Sequence, residues 1–241
     1  MSASAAVIWH DVECGAYTAD LSLWRRLARE AGGPVLDVGA GTGRVALRLA
    51  HAGHDVTALD RDGELLAELE ERAAQVGLAV QTVLADAADF DLPRRYALVA
   101  VPMQTLQLLP GAAARDGFFA SAARVLVPGG LLAAAIADAL EGFDEQASLP
   151  LPDLGEADGL QYVSQPVAVR QLDGAVQIER VRQIVAPDGR RTSEDDVVVL
   201  QTVGADELAE EAAVHGLRAE PPLTVAETDD HVGSTVVMLR A

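Results

Sequence analysis

Three glycines in five residues, Gly39, Gly41 and Gly43, follow the run Val35-Leu36-Asp37-Val38. A short buried strand that enters such a loop lets the backbone turn tightly and lets a ligand lie almost on the main chain. Asp37 stands two residues before the first glycine, so a carboxylate sits beside the loop and favours a cationic ligand group. Asp60 closes a second apolar run, 17 residues after Gly43, and Asp86 follows a third. One acid at the end of each of three successive strands gives a row of hydrogen-bond acceptors along one edge. Of the five histidines, His10 and His231 lie in segments that can fold over that edge, while His51, His54 and His215 fall at helix or loop ends and read as surface residues.

The elements that must position these residues alternate. Residues 1–19 read as irregular. Asp20 is a suitable N-cap, and Leu21, Trp24, Leu27, Ala28 and Ala31 then recur at helical spacing up to Gly32-Gly33. Strands are expected at 35–38, 54–59, 80–84, 96–102 and 131–136, and helices at 44–51, 63–76 and 113–126. Alternation of this kind makes a parallel, doubly wound sheet, whose ligands bind at the carboxyl ends of its strands. After residue 139 the pattern changes. Residues 139–160 read as a loop, and strand-like runs follow at 162–172, 176–185 and 197–203, with turn signals at Asp173-Gly174 and Asp188-Gly189. The acids Glu194-Asp195-Asp196 read as a solvated turn. A helix over 206–215 and strands over 217–226 and 235–239 complete the reading.

Composition excludes several chemistries. The 241 residues are 50% hydrophobic, enough for one sizeable α/β domain. The net charge of −19 repels a phosphate backbone and an anionic membrane surface, so neither nucleic acid nor membrane is an expected partner. All 18 basic residues are arginine, which rules out a P-loop lysine, a Schiff-base lysine or a lysine base. Asparagine is absent too, and with it any Asn-Pro-Pro-Tyr amino-methylating motif. The single cysteine, Cys14, allows neither an internal disulfide nor a cysteine metal cluster, and no metal ligand set is expected. Met1 to Trp9 lacks a basic region and a long apolar stretch, so no signal peptide is expected and a cytoplasmic location is the default.

The form Asp37-x-Gly39-x-Gly41-x-Gly43 resembles the first motif of class I S-adenosylmethionine-dependent methyltransferases. Asp60 is similar to the family's ribose-binding acid and Asp86 to its adenine-binding acid. The segment Val101-Pro102-Met103-Gln104-Thr105-Leu106-Gln107 resembles the stretch after the fourth strand, and Leu126-Val127-Pro128-Gly129-Gly130 the family's Leu-x-Pro-Gly-Gly turn. The resemblance implies a seven-stranded, mostly parallel Rossmann-like sheet with an antiparallel β insertion after strand 5. It implies S-adenosyl-L-methionine as cofactor and S-adenosyl-L-homocysteine as product. The implied cofactor-binding residues are Tyr17, Asp37, Gly39, Ala40, Gly41, Gly43, Asp60, Arg61, Asp86, Ala87, Val101 and Gln107. Gln104 and Gln107 are candidates to line the site, with capping of the next turn as the other reading of Gln107. Tyr17 either reaches the cofactor or packs on the first helix. His10 is the candidate catalytic base, since the N-terminal segment often closes the site in this family.

The implied reaction is methyl transfer to an N or O nucleophile of a small molecule. The expected organisation is an N-terminal cap and first helix over 1–33, a cofactor-binding core over 34–138, a lid over 139–203 that selects the acceptor or forms a homodimer contact, and a final helix and two strands over 204–241. Two alternatives stay open. One is an NAD(P)-dependent oxidoreductase, for which Gly41-x-Gly43-x-x-Ala46 gives partial support and Asp37, Asp86 and the missing Tyr-x-x-x-Lys pair count against. The other is a protein that binds the cofactor without methylating.

Overall fold

The computed structural model describes residues 3–137, 140, 142, 149–228 and 231–241. After the N-cap Ser4 come the helix α1 (Ala5–His10) and one π-helical stretch, Asp11–Gly15. The helix α2 (Leu21–Ala31) buries Leu23, Trp24, Leu27 and Ala28 and stops at Gly32, whose φ of 65° makes a left-handed cap. Next are β1 (Val35–Val38), α3 (Ala46–His51), β2 (Val56–Asp60), α4 (Gly63–Gln75), β3 (Gln81–Leu84), β4 (Tyr96–Val101), a 3-10 turn at Thr105–Leu108, α5 (Gly111–Val125) and β5 (Leu126–Ile136). Then follow β6 (Asp153–Ala157), β7 (Leu160–Leu172), β8 (Ala175–Val185), β9 (Arg191–Gln201), α6 (Ala205–Ala213), β10 (Arg218–Val225) and β11 (Ser234–Arg240).

The main sheet has the order β10-β11-β5-β4-β1-β2-β3. β5, β4, β1, β2 and β3 run parallel, and β11 pairs antiparallel with both β5 and β10. The order reverses between β1 and β4, which opens a crevice at their carboxyl ends. β1 is buried along its whole length, as a strand covered on both faces must be. One core layer joins the sheet to α2, α3 and α4 through Trp24, Leu49 and Leu69. The other joins it to α5 and α6 through Phe118, Phe119 and Leu208. β6 to β9 form a separate antiparallel sheet inserted after β5.

Three expectations are corrected. Residues 5–15 are helical rather than irregular, because Ile8, Trp9 and Val12 pack against Tyr162 of the inserted sheet and gain a core of their own. β6 lies inside the expected loop, of which residues 139, 141 and 143–148 are outside the described residues. Glu194-Asp195-Asp196 is no turn: it lies within β9, which begins at Arg191, and Asp196 meets Arg182 at 2.9 Å. No helix among the described residues is long and apolar enough to cross a membrane.

Candidate active site

A cavity of about 370 Å³ opens at the carboxyl ends of β1, β2 and β4. Its floor is Asp37, Gly39 and Ala40, one wall is Leu59 to Asp62 with Asp86 and Ala87, and the other is Pro102 to Thr105 with Leu108 and Leu109. His10 and Cys14 close it from the N-terminal segment. Met103 holds φ +56°, a left-handed conformation uncommon in a residue with a side chain, where the chain leaves β4 and turns along the cavity.

Asp37 dominates the electrostatics. It is 1% exposed, and neither carboxylate oxygen has a hydrogen-bond partner. Burial pushes its carboxyl up to about 7; Arg44 and the Ala46 amide pull the other way, and the charges of Asp60 and Asp20 add to the rise. A buried acceptor pair left without donors is costly, and Asp37 lines the cavity, from which a ligand cation can reach it. Arg44 does not satisfy it, because its guanidinium is held elsewhere. It forks onto the buried Asp20 at 2.6 and 2.7 Å and donates to the Tyr17 carbonyl at 2.9 Å. Trp24 donates its indole N–H to the same Asp20 at 2.8 Å.

The loop is shaped by what lies against it. Gly39 has φ +71°, and a Cβ there would stand 2.6 Å from the Thr105 side chain. Gly41 has φ +53°, and a Cβ there would collide with the His10 ring. Gly43 is a packing glycine, since a Cβ would meet Leu69 at 2.8 Å and Leu47 at 2.9 Å. Asp60 fastens the loop by accepting the Gly41 N–H at 2.8 Å through one oxygen and the Asp62 N–H at 2.9 Å through the other. His10 is set by its neighbours: its Nδ1 lies 3.3 Å from the Thr42 hydroxyl, which donates to Asp11 at 2.7 Å. Burial alone would raise the Asp11 carboxyl, but the nearby His10 ring, at 3.9 Å, and hydrogen bonds from Arg72 and Thr42 hold it well below the ordinary carboxylate range. On the next helical turn Glu13 accepts from Arg182 of β8 at 2.8 Å through each oxygen, and from Ser164 of β7. The N-terminal segment therefore spans from the glycine loop to the inserted sheet.

Asp60→Ala therefore removes a fastening of the glycine loop as well as an acceptor in the cavity wall. We expect it to weaken cofactor affinity by about 3 kcal/mol, from lost hydrogen bonds to a charged acceptor on both sides. Calorimetric titration with S-adenosylhomocysteine checks this, and unchanged affinity would remove Asp60 from the site.

Residues 35–130 match the family described as a methyltransferase domain. Solved structures resemble the whole chain. DesVI of Streptomyces venezuelae is 21% identical with a TM-score of 0.75, over 95% of this chain and 94% of that one. The sugar N-methyltransferase KedS8 of Streptoalloteichus is 20% identical with a TM-score of 0.75, over 100% and 94%. CalS10 of Micromonospora echinaspora, an amino pentose methyltransferase solved with S-adenosylmethionine bound, is 18% identical with a TM-score of 0.71, over 94% and 93%. Among curated proteins none matches the chain by sequence.

All of the cavity wall except His10 and Cys14 lies within the matched residues 35–130. Of the residues expected to bind cofactor, Asp37, Gly39, Ala40, Asp60, Arg61, Asp86 and Ala87 line the cavity. Asp86 also accepts the Ala88 N–H at 2.8 Å, which sets the turn after β3. Gly41, Gly43, Tyr17, Val101 and Gln107 do not line it. Tyr17 is buried behind Arg44, with the guanidinium 5.1 Å from its ring centroid and the His231 ring 5.0 Å away. Val101 is fully buried in the β4 core. Gln107 is a clasp: its amide donates to the Ala137 carbonyl at 3.0 Å and the Gln201 carbonyl at 3.2 Å, and its oxygen accepts the Ala137 N–H at 2.8 Å. It ties together the two ends of the insertion. Arg44 and Cys14 are among the wall residues that sequence reasoning missed. An arginine directly after the last glycine, with an aspartate before the preceding helix, was the available signal for the first; Asp20 makes no side-chain cap bond and accepts from Trp24 and Arg44 instead. The Cys14 thiol carries no nucleophile signal, because burial pushes it up to about 11 and the charge of Glu13 adds to this.

Proposed function

We propose that this protein binds S-adenosylmethionine in the carboxyl-edge cavity and transfers its methyl group to a nucleophilic nitrogen, or else oxygen, of a small molecule. The observation that carries the reading is Asp37, whose two buried oxygens lack donors and face the cavity. The amino group of the cofactor's methionyl end supplies the cation and donors that this acid lacks. Asp60 and Asp86 suit the ribose hydroxyls and the adenine amine, and Gly39 and Ala40 leave room for the methionyl part. When bound, the cofactor supplies an electrophilic methyl on a sulfonium, open to in-line displacement. The chain's own contribution is alignment and exclusion of water by Met103, Leu108, Leu109 and the N-terminal segment. A pyrophosphate-bearing dinucleotide suits this floor poorly, since Asp37 would meet it as an anion.

An amine is favoured as acceptor by two considerations. The chain carries a net charge of −19, which attracts cationic and neutral molecules over polyanions. KedS8 and CalS10, which share its fold over nearly the full length, act on a sugar nitrogen and an amino pentose. The inserted sheet braces the N-terminal segment and is the element we assign to acceptor choice. Incubation with S-adenosylmethionine and matched amino sugars, neutral sugars and phenols tests the reading. Gain of one methyl by an amine, read by mass spectrometry, supports it, and S-adenosylhomocysteine formation with phenols alone would replace the amine by oxygen.

His10 is the group placed to take the acceptor's proton, being in the wall and fixed by Thr42 and Asp11. His10→Ala is expected to slow turnover by about 100-fold with cofactor affinity intact, the usual scale of a lost proton-transfer group. Full-rate turnover would leave His10 a packing partner of Gly41.

A further inference from the structure

The strongest feature outside the active site is a basic face on an acidic protein. Residues 21–54 carry five arginines against two acids, in a chain whose net charge is −19. Of these charges, Arg44 and Asp37 are turned inward and accounted for above. Arg25, Arg26 and Arg29 of α2 and Arg48 of α3 are exposed, and none forms an ion pair or hydrogen bond among the described residues. Elsewhere in the chain most arginines are engaged, with Asp20, Asp11, Asp55, Glu211, Glu179, Glu13 and others as partners.

The unpaired groups do not stand on a flat surface. Ser22, Arg25, Arg26, Arg29, Ala52 and His54 line a depression of about 460 Å³ between α2 and the turn that follows α3. It shares no residue with the active-site cavity. Arg29, like Arg48 outside the depression, has a local explanation, since a cation in the last turn of a helix meets the negative end of its dipole. Arg25 and Arg26 have none. Arg25 and Arg29 are four apart and Arg26 and Arg29 three apart, spacings at which like charges repel on a helix and work against it. Serine and histidine add donors to the guanidinium forks, which match the oxygens of a phosphate group.

We propose that this depression binds a small phosphate-bearing anion, at a site separate from the methyl-transfer cavity. The choice of a compact ligand follows from electrostatic range. Screening acts over about 8 Å at physiological ionic strength, so the field inside the depression is set by its own arginines. A macromolecular polyanion would bring charge against the acidic remainder of the surface and be repelled.

The test is calorimetric titration of the full chain with inorganic phosphate, inorganic pyrophosphate and glycerol phosphate, at about 0.15 M salt. Saturable binding with Kd of about 1 mM or tighter is expected. The Arg26→Ala, Arg29→Ala double variant should bind at least about tenfold more weakly, the effect of losing two charge-assisted contacts. Its S-adenosylhomocysteine affinity should be unchanged, which also reports that it is folded. Binding of the two inorganic anions alone assigns the site to free phosphate, and binding of glycerol phosphate as well assigns it to phosphate esters. Absence of saturable binding for all three, or equal binding by the double variant, would overturn the proposal.

Discussion

Asp37→Asn is expected to stabilise the ligand-free protein at pH 8 while weakening S-adenosylhomocysteine binding by about 100-fold. Burial holds the native carboxyl at about 7, against 3.8 for the ordinary group. Between those values the folded chain keeps a proton that the unfolded chain has released. The contribution of this group to stability therefore falls as pH rises from about 4 to 7, and the full penalty, on the order of 4 kcal/mol, stands above pH 7. Asparagine carries no charge to bury, so the gain in melting temperature should be large at pH 8 and vanish near pH 4. The expected loss of affinity has the same origin, because the proposed function makes the buried acid the counter-charge for the ligand's amino group, and a hydrogen bond between charged groups contributes about 1.5–3 kcal/mol. In the unsubstituted protein, S-adenosylhomocysteine binding below pH 7 should release a proton, seen as heats that depend on the buffer's ionisation enthalpy. Melting curves at pH 4 and pH 8 check the first part. A variant with lower stability at pH 8 would mean that Asp37 has a partner in the folded chain.

Arg44→Ala should be the most damaging single change near the site. It strips Asp20, 2% exposed, of a two-bond partner and leaves a carboxylate buried beside the Trp24 indole. Breaking a buried pair from one side costs about 3–5 kcal/mol. For a chain of this size that lowers the melting temperature by roughly 10 °C. It also removes the cation that partly offsets the rise at Asp37. The double change Arg44→Met with Asp20→Asn leaves no charge buried and should lose less than Arg44→Ala alone. Thermal unfolding followed by circular dichroism separates the two. A loss below about 2 °C for Arg44→Ala would show that the pair is solvated.

The centre of the sheet that carries the site was legible in the sequence because its strands are short apolar runs. Val35–Val38 runs into Gly39 and Val56–Asp60 ends on an acid, which marks the carboxyl edge, and Tyr96–Val101 is apolar throughout. The N-terminal helix was not legible. Val7, Ile8, Trp9 and Val12 do not form one helical stripe, because they are buried from two sides, by the domain and by the inserted sheet. β9 was read short because its first half, Arg191 to Asp196, is charged. Its acids are accommodated in a strand by Arg182 across the sheet, a partner that sequence order does not bring near. Gln107 shows the same limit within the site region. Its position after the fourth strand suggested the cofactor, but its amide closes on Ala137 and Gln201, 94 residues further along the chain.

Titration of the purified protein with S-adenosylhomocysteine, with NAD and NADP in parallel, tests the central claim most directly. The account predicts binding of S-adenosylhomocysteine alone, with a micromolar Kd equivalent to about 8 kcal/mol. Binding of a dinucleotide in its place would contradict it, and the cavity beside Asp37 would then have to be read as a hydride-transfer site.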